Sequence, residues 1–197
     1  MYAYRRMTAE QQQEVLAYRR LMQLPLHEPP HFERDSNIFF LSAANFEHQK
    51  IMDREDRRTA FLHRLLTGLV EDCQADVFAW VLMPNHYHLL TRVDLPLFST
   101  WIGKLHNATA TKWNREDQTP GRTVWYRFSD RGIRSERHFW ATINYIHFNP
   151  VKHGYAEHID AWQCSSIHSY LAEHGHDAVL ELNKNYPLYD YGKNWDI

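Results

Sequence analysis

Cysteine is scarce in this chain, with only Cys73 and Cys164 among 197 residues. Two distant cysteines cannot build the disulfide framework of a small secreted domain, so we expect two free thiols in a cytoplasmic protein. No apolar run approaches the roughly 20 residues that cross a bilayer. The N-terminal sequence MYAYRRMTAEQQQ also lacks the apolar segment of a secretory signal. These absences argue against a membrane partner and against export of the protein.

Excess positive charge is also missing, because 22 Lys and Arg face 24 Asp and Glu. A net charge of -2 argues weakly against a nucleic-acid partner, but the charges are unevenly distributed. Residues 101–154 hold nine basic residues against four acidic ones, whereas 155–197 hold two against seven. Phosphate binding depends on local positive charge, so the basic middle of the chain is where we expect an anionic partner.

Apolar and aromatic residues are plentiful, at 44% and 14%, which predicts a folded protein. The length fits one domain with short extensions. Three prolines between positions 25 and 30 interrupt the chain, and no strong pattern follows position 154. We therefore predict an N-terminal extension over 1–35, a central domain over 36–154 and an acidic, aromatic C-terminal extension over 155–197.

Apolar periodicity alternates between strand and helix within the central domain. The predicted extended segments are 37–46, 77–83, 87–93 and 124–133, and the predicted helices are 8–24, 53–76, 96–113 and 136–149, with a short one near 165–174. Pro84 and Asn85 predict a hairpin turn, Ser135 an N-cap, and Pro150 the end of a helix. This order of elements indicates an α+β fold.

His86 and His88 stand two apart in VFAWVLMPNHYHLLTRV, at the start of a predicted strand. Residues i and i+2 of a strand point to one face, so the two imidazoles can hold one divalent ion. Chance alone produces such pairs in a chain with 14 histidines, and His174 and His176 form a second one. We favour the first pair, because the second surrounds Gly175 in a polar stretch that solvent can satisfy.

Tyr145 and Asn149 stand four apart in NYIHFNPVKHG, so one helix face carries both. An amide oxygen suits Mg²⁺ or Mn²⁺, and a tyrosine one turn away can attack a phosphate that such an ion polarises. The same spacing also fits a core tyrosine followed by a helix C-cap at Asn149. Spacing alone leaves both interpretations open.

Together, MPNHYHLL at 83–90 and YIHFNPVKHG at 145–154 resemble the two motifs of the REP-associated tyrosine transposases, a branch of the HUH single-strand transposases. The resemblance also includes FFLSAANF, WYRFSDRGIRSERHFW and WQCSSIHSY. It implies a ferredoxin-like α+β fold, an antiparallel sheet with helices packed on one face. It further implies that His86, His88 and Asn149 bind the metal and that Tyr145 is the nucleophile, although many relatives carry Gln as the third ligand.

The function implied by this resemblance is a metal-dependent endonuclease and strand transferase that uses Mg²⁺ or Mn²⁺. Its partner would be single-stranded or hairpin DNA with a palindromic sequence, and not a small molecule. Attack by Tyr145 would leave a 5′-phosphotyrosine and a free 3′-OH, and a second 3′-OH would reverse the link into strand transfer. We expect a bacterial, cytoplasmic, nucleoid-associated protein and favour a monomer over a homodimer.

Basic and aromatic residues in the middle of the chain are candidates for holding this DNA. The cations are Arg122, Arg127, Arg131, Arg134, Arg137 and Lys152, and the rings are Trp125, Tyr126 and Phe128. Alternating aromatic residues over 124–128 fit the core of a strand equally well.

Three other functions compete with this one. A catalytically idle hairpin-binding protein would keep the basic region without needing the histidine pair and Tyr145 together. A phosphoesterase that activates water usually recruits several carboxylates to its metal, and none lies within 86–91. An HUH-class replication initiator or relaxase resembles the chain less at NPVKHG.

The C-terminal sequence NYPLYDYGKNWDI is rich in tyrosine and carboxylates. Such a segment could cover a basic cleft when DNA is absent, with its carboxylates in place of phosphates and its rings in place of bases. Competition of this kind would weaken with salt. A structural strap elsewhere on the surface is the competing interpretation.

Overall fold

The computed structural model describes residues 37–188 and, outside that stretch, Thr8, Glu10, Gln13, Ala17 and Tyr191. The chain divides into two compact units, residues 1–35 and 36–197. The helix predicted over 8–24 falls almost entirely outside the described residues. None of the helices in the described part of the chain is both long and apolar enough to cross a membrane.

Two successive strand–helix–strand units build the core of the second unit. The elements are β1 (Ile38–Ala44), α1 (Glu55–Glu71), β2 (Asp76–Leu82), β3 (His86–Arg92), α2 (Leu95–Glu116), β4 (Ser129–Gly132), α3 (Glu136–Lys152) and α4 (Ile167–Asn185). The strands lie in the order β2-β3-β1-β4, each antiparallel to its neighbours. This is the ferredoxin-like arrangement, so the predicted α+β class is confirmed.

Alternation along the strands separates two cores, one on each face of the sheet. Leu41 and Tyr87 pack toward α1 and α2, whereas Phe40 and Leu90 pack toward α3. The expectation that helices cover one face therefore holds for α1 and α2 but is wrong for the whole domain. Helices α3 and α4 follow β4 and bury their apolar residues, such as Ile146, against the other face.

Helix α3 begins where predicted and ends later. The Ser135 hydroxyl accepts the backbone N–H of His138, which confirms the N-cap. Pro150 does not end the helix, which runs through it to Lys152, and Gly154 adopts the left-handed conformation at φ +70 just beyond. Proline costs a helix interior about 3 kcal/mol. The burial of this stretch against the sheet offsets that cost and carries Lys152 one turn further along the same helix.

Helix α4 is longer than the short helix predicted near 165–174. Gly175, at φ +79, introduces a kink that hides the helical periodicity in the sequence. Beyond the kink, Leu182 is buried in the core that α3 shares. The ring of His174 lies 4.6 Å from that of Tyr170, between centroids, and its Nε2 lies 3.8 Å from Glu173.

Candidate active site

Strand β3 brings His86 and His88 to one face of the sheet, with ring centroids 4.9 Å apart and side chains 4% and 2% exposed. Tyr87 between them points into the opposite core, where its hydroxyl lies 3.1 Å from Nε2 of His106. Burial lowers the pKa of His106 to about 3, so the Tyr87 hydroxyl is hydrogen-bonded to a neutral imidazole. Tyr87 therefore anchors the strand that presents the histidine pair.

His86 is held between two asparagines. Its Nδ1 lies 2.7 Å from Oδ1 of Asn85, and its Nε2 lies 3.0 Å from Oδ1 of Asn149. A neutral ring that donates its Nδ1 proton to the Asn85 oxygen would turn the lone pair of Nε2 toward a second acceptor, the Asn149 oxygen. The buried Nδ2 of Asn149 has no hydrogen-bond partner among the described residues.

A divalent cation would satisfy these facing acceptors. Neighbouring ligands of a six-coordinate ion at about 2.1 Å lie about 3 Å from each other. Nε2 of His86 and Oδ1 of Asn149 have this spacing, and His88 adds a second imidazole on the same face. Within the described residues no three His, Cys, Asp or Glu side chains converge on a metal-binding point. The third donor of a metal held here would be the Asn149 amide oxygen. The residues present fit Mg²⁺ or Mn²⁺.

Tyr145 lies on α3 one turn before Asn149, with its ring centroid 5.5 Å from that of His88. Its hydroxyl accepts a hydrogen bond from Lys152 Nζ at 3.2 Å, and the same ammonium lies 4.8 Å from the ring centroid. An ammonium group that donates to a phenolic oxygen stabilises the phenolate relative to the phenol. Lys152, predicted as a phosphate ligand, is therefore placed at the candidate nucleophile.

Arg131 on β4 also belongs to the surroundings of Tyr145. The residue as a whole is exposed, but partial desolvation of its guanidinium lowers the pKa of that group, which interacts electrostatically with Tyr191, Arg134 and Tyr145. Arg127, Arg134 and Arg137, which are also predicted to bind DNA, are exposed as well. These cations remain candidates for holding phosphates.

Arg122 and Trp125 each contact other side chains of the domain. Arg122 forms an ion pair with Asp117, with a nitrogen–oxygen distance of 2.7 Å, and so ties the loop after α2 to the helix end. The Trp125 indole stacks on His106 with 4.3 Å between centroids, inside the core between the sheet and α2. Phe61 also stacks on this indole, with 5.2 Å between centroids. The next residue, Tyr126, is 42% exposed.

Sequence reasoning missed two neighbours of His86. The sequence predicts Asn85 only as a turn residue, although it directly precedes the pair. His153 was not singled out, yet its ring centroid lies 5.0 Å from that of His86. Its position four residues after Asn149 is the signal that could have placed it on the same side of α3.

The C-terminal segment reaches the site through Tyr191. Its ring lies 5.7 Å from that of Tyr145, between centroids, and its hydroxyl is hydrogen-bonded to that of Thr142, one turn earlier on α3. Burial raises the pKa of Tyr191 to about 12, so its hydroxyl is neutral near pH 7 and a poor nucleophile. Tyr145 itself is only 1% exposed, and the Tyr191 ring packs against it. The carboxylates of Asp190 and Asp196 lie outside the described residues.

Comparison with known proteins gives two sequence relatives. The chain is 26% identical over 117 residues to the REP-associated tyrosine transposase of Escherichia coli strain K12, an alignment that covers 56% of this chain and 66% of that protein, just under two thirds. It is also 26% identical over 153 residues to a Haemophilus influenzae protein provisionally given the same name, covering 71% and 81% of the two chains. No protein-family model matches the chain.

The fold has a counterpart among solved structures. A REP-associated tyrosine transposase bound to a REP hairpin superposes with a TM-score of 0.56 at 18% identity, covering 74% of this chain and 85% of that one. This likeness shows a shared fold. Together with the two sequence matches, it confirms the resemblance that the motifs predict, because the chain is similar in sequence and in fold to REP-associated tyrosine transposases.

Proposed function

We propose that the chain is a metal-dependent endonuclease and strand transferase of hairpin-forming single-stranded DNA, with Tyr145 as its nucleophile. The observation that carries this proposal is the meeting of His86, His88 and Asn149 with the Tyr145–Lys152 pair on one face of the sheet. A protein that only bound hairpins would have no use for this constellation. A hydrolase that activates water would be expected to gather carboxylates, which do not converge among the described residues.

Each side chain of the site has its own role in the proposed cleavage step. Asn85 fixes the tautomer of His86, and His86, His88 and Asn149 would hold the Mg²⁺ or Mn²⁺ ion. The chemistry supplied by the ion is withdrawal of charge from a phosphate oxygen. Lys152 stabilises the Tyr145 oxygen as the phenolate, the form that attacks phosphorus.

The same exchange of bonds at phosphorus accounts for strand cleavage and for strand joining. The Tyr145 oxygen forms a bond to phosphorus while the bond from phosphorus to the 3′ oxygen breaks, and that oxygen takes up a proton as a 3′-OH. The resulting 5′-phosphotyrosine is itself a phosphodiester, so a 3′-OH from another strand end can reverse the exchange. Strand joining therefore needs no nucleotide hydrolysis.

Hairpin DNA is the substrate class that we infer. The solved relative is bound to a REP hairpin, and Arg127, Arg131, Arg134 and Arg137 provide cations that could contact the phosphates of such a hairpin here. Because both sequence relatives come from bacteria, we place the reaction in the bacterial cytoplasm, at the nucleoid.

A covalent-adduct assay tests the proposal. We expect the protein, with Mn²⁺ and a hairpin that carries a single-stranded flank, to form a band that survives denaturing electrophoresis. A label at the 3′ end of the cleaved strand should move to the protein, and a label at its 5′ end should not, because the link is a 5′-phosphotyrosine. Absence of any adduct across a panel of hairpins from the source genome, with binding retained, would contradict nucleophilic catalysis.

Replacing Lys152 with alanine is expected to slow cleavage by about 100-fold, because the developing charge on the Tyr145 oxygen loses its hydrogen-bond donor. Strand joining from a preformed adduct should slow similarly, since Tyr145 is then the leaving group. Single-turnover rates of both steps measure the effect.

Two variants serve as controls for this prediction. Lys152→Arg keeps a positive donor and should recover part of the rate, whereas Lys104→Ala removes an exposed lysine from α2, on the other face of the sheet, and should leave it unchanged. The contrary result is that Lys152→Ala weakens hairpin binding while bound DNA is still cleaved at the parent rate. That result would show that Lys152 is a phosphate ligand and not a partner of Tyr145.

Replacing Tyr191 with alanine is expected to raise affinity for single-stranded DNA and the initial cleavage rate by several-fold, because the variant uncovers Tyr145. The parent, the variant and a chain ending at Leu188 should be compared by fluorescence anisotropy across a salt series. A cut nearer position 181 is unsuitable, because it removes the buried Leu182. Equal affinities of the three folded proteins at all salt concentrations would show that the segment is a structural strap.

A further inference from the structure

Three aromatic side chains cluster beside the candidate active site, and we call Phe46, His48 and Tyr126 the ring platform. The ring of Tyr126 lies 5.0 Å from that of Phe46 and 6.2 Å from that of His48, between centroids. Tyr126 is 42% exposed, and the other two rings are half-buried. The platform thus presents an aromatic face to solvent.

The strand register places the platform next to the histidine pair. The backbone N–H of Tyr126 donates to the carbonyl of Ala44 at 2.9 Å, and Ala44 is the register partner of His86. Neighbouring strands lie about 4.8 Å apart, so the backbones of Tyr126 and His86 are about 10 Å apart. Trp125 packs against the core of α1 and α2, whereas Tyr126 is exposed and packs on Phe46 and His48. The His48 carbonyl in turn accepts the amide of Asn85, the residue next to His86.

The loop that forms the platform contains two residues with a left-handed backbone conformation, which residues other than glycine rarely adopt. Glu47 and His48 both have φ of 52, in the left-handed region, and neither is glycine. The amide nitrogen of Asn85 donates to the His48 carbonyl at 3.2 Å, while the amide oxygen of Asn85 lies 2.7 Å from His86 Nδ1. One asparagine therefore fixes both the platform and the orientation of a candidate metal ligand.

We infer that the ring platform stacks an unpaired base of the single-stranded flank, close to the scissile phosphate. Every base offers a π-face to an exposed aromatic ring, and Arg127, the residue after Tyr126, is exposed and adds a cation for the backbone. The position of the scissile phosphate rests on the proposed function, whereas stacking requires only that the protein binds single-stranded DNA. Asn85 is a positioning residue in this arrangement, because it ties base binding to the setting of His86.

Binding measurements without metal test the platform separately from cleavage. Tyr126→Ala, Tyr126→Phe and Leu97→Ala, the last an exposed apolar control on α2, are compared in EDTA with a hairpin that carries a single-stranded flank and with the same hairpin trimmed to its stem. We expect Tyr126→Ala to lose about tenfold or more in affinity for the flanked hairpin only. Tyr126→Phe keeps the ring and should bind like the parent, as should Leu97→Ala.

A fluorescent base analogue provides a second readout that uses the unaltered protein. With 2-aminopurine placed in turn at each flank position, stacking should quench fluorescence at one position near the cleavage site, and Tyr126→Ala should abolish that quenching. Equal loss of affinity for flanked and trimmed hairpins, or no quenching at any position, would overturn the inference. If both tests succeed while no covalent adduct forms, the platform stands and the proposed catalysis fails.

Discussion

Replacing Tyr145 with phenylalanine is expected to abolish DNA cleavage and the covalent adduct, with a loss of more than about 1,000-fold. The substitution removes only the nucleophilic oxygen and keeps the ring between Phe40 and His88, at 5.9 and 5.5 Å between centroids. Hairpin affinity should therefore stay close to the parent value. Single-turnover cleavage and anisotropy with the same labelled hairpin measure the two effects.

Tyr191→Phe is the matched control, because Tyr191 is the second tyrosine ring packed on this site. Burial raises the pKa of Tyr191 to about 12, so its hydroxyl should contribute no nucleophile, and the variant should keep cleaving. Cleavage by Tyr145→Phe at the parent rate would show that Tyr145 is not the nucleophile. Loss of cleavage in Tyr191→Phe alone would move the assignment to Tyr191.

Replacing His86 and His88 together with alanine is expected to remove the Mg²⁺- or Mn²⁺-dependent activity, with a loss of metal affinity of at least about 100-fold. Both imidazoles leave the donor set, and Asn149 alone is a weak ligand. The chain should remain folded, because Tyr87, which anchors β3 in the opposite core, is untouched. Calorimetric titration with Mn²⁺ and a thermal melt measure the two outcomes.

The second histidine pair provides the control for this variant. His174→Ala with His176→Ala removes two imidazoles around the kink of α4 and should change neither metal affinity nor cleavage. Unchanged metal affinity in the His86/His88 double variant would end the assignment of the metal site. A parent protein that cleaves fully in EDTA would contradict the need for a metal.

The sequence by itself determined the features that depend on local periodicity. The period of two along β3 puts His86 and His88 on one side and Tyr87 on the other, and the four-residue spacing of Tyr145 and Asn149 puts both on one helix face. The order of strands and helices was likewise enough for the α+β class, because each apolar pattern reports the element that it forms.

Only the tertiary structure determined which residues those strands and helices contact. Burial against the sheet carries α3 through Pro150, which brings Lys152 to Tyr145, and the same packing creates a second helical layer that the sequence did not reveal. It also assigns Trp125 to the core and Tyr126 to the surface, a choice that alternation alone leaves open. The physical reason is that a side chain's role depends on partners far away in sequence, whose positions are set by burial of the whole core and not by local propensity.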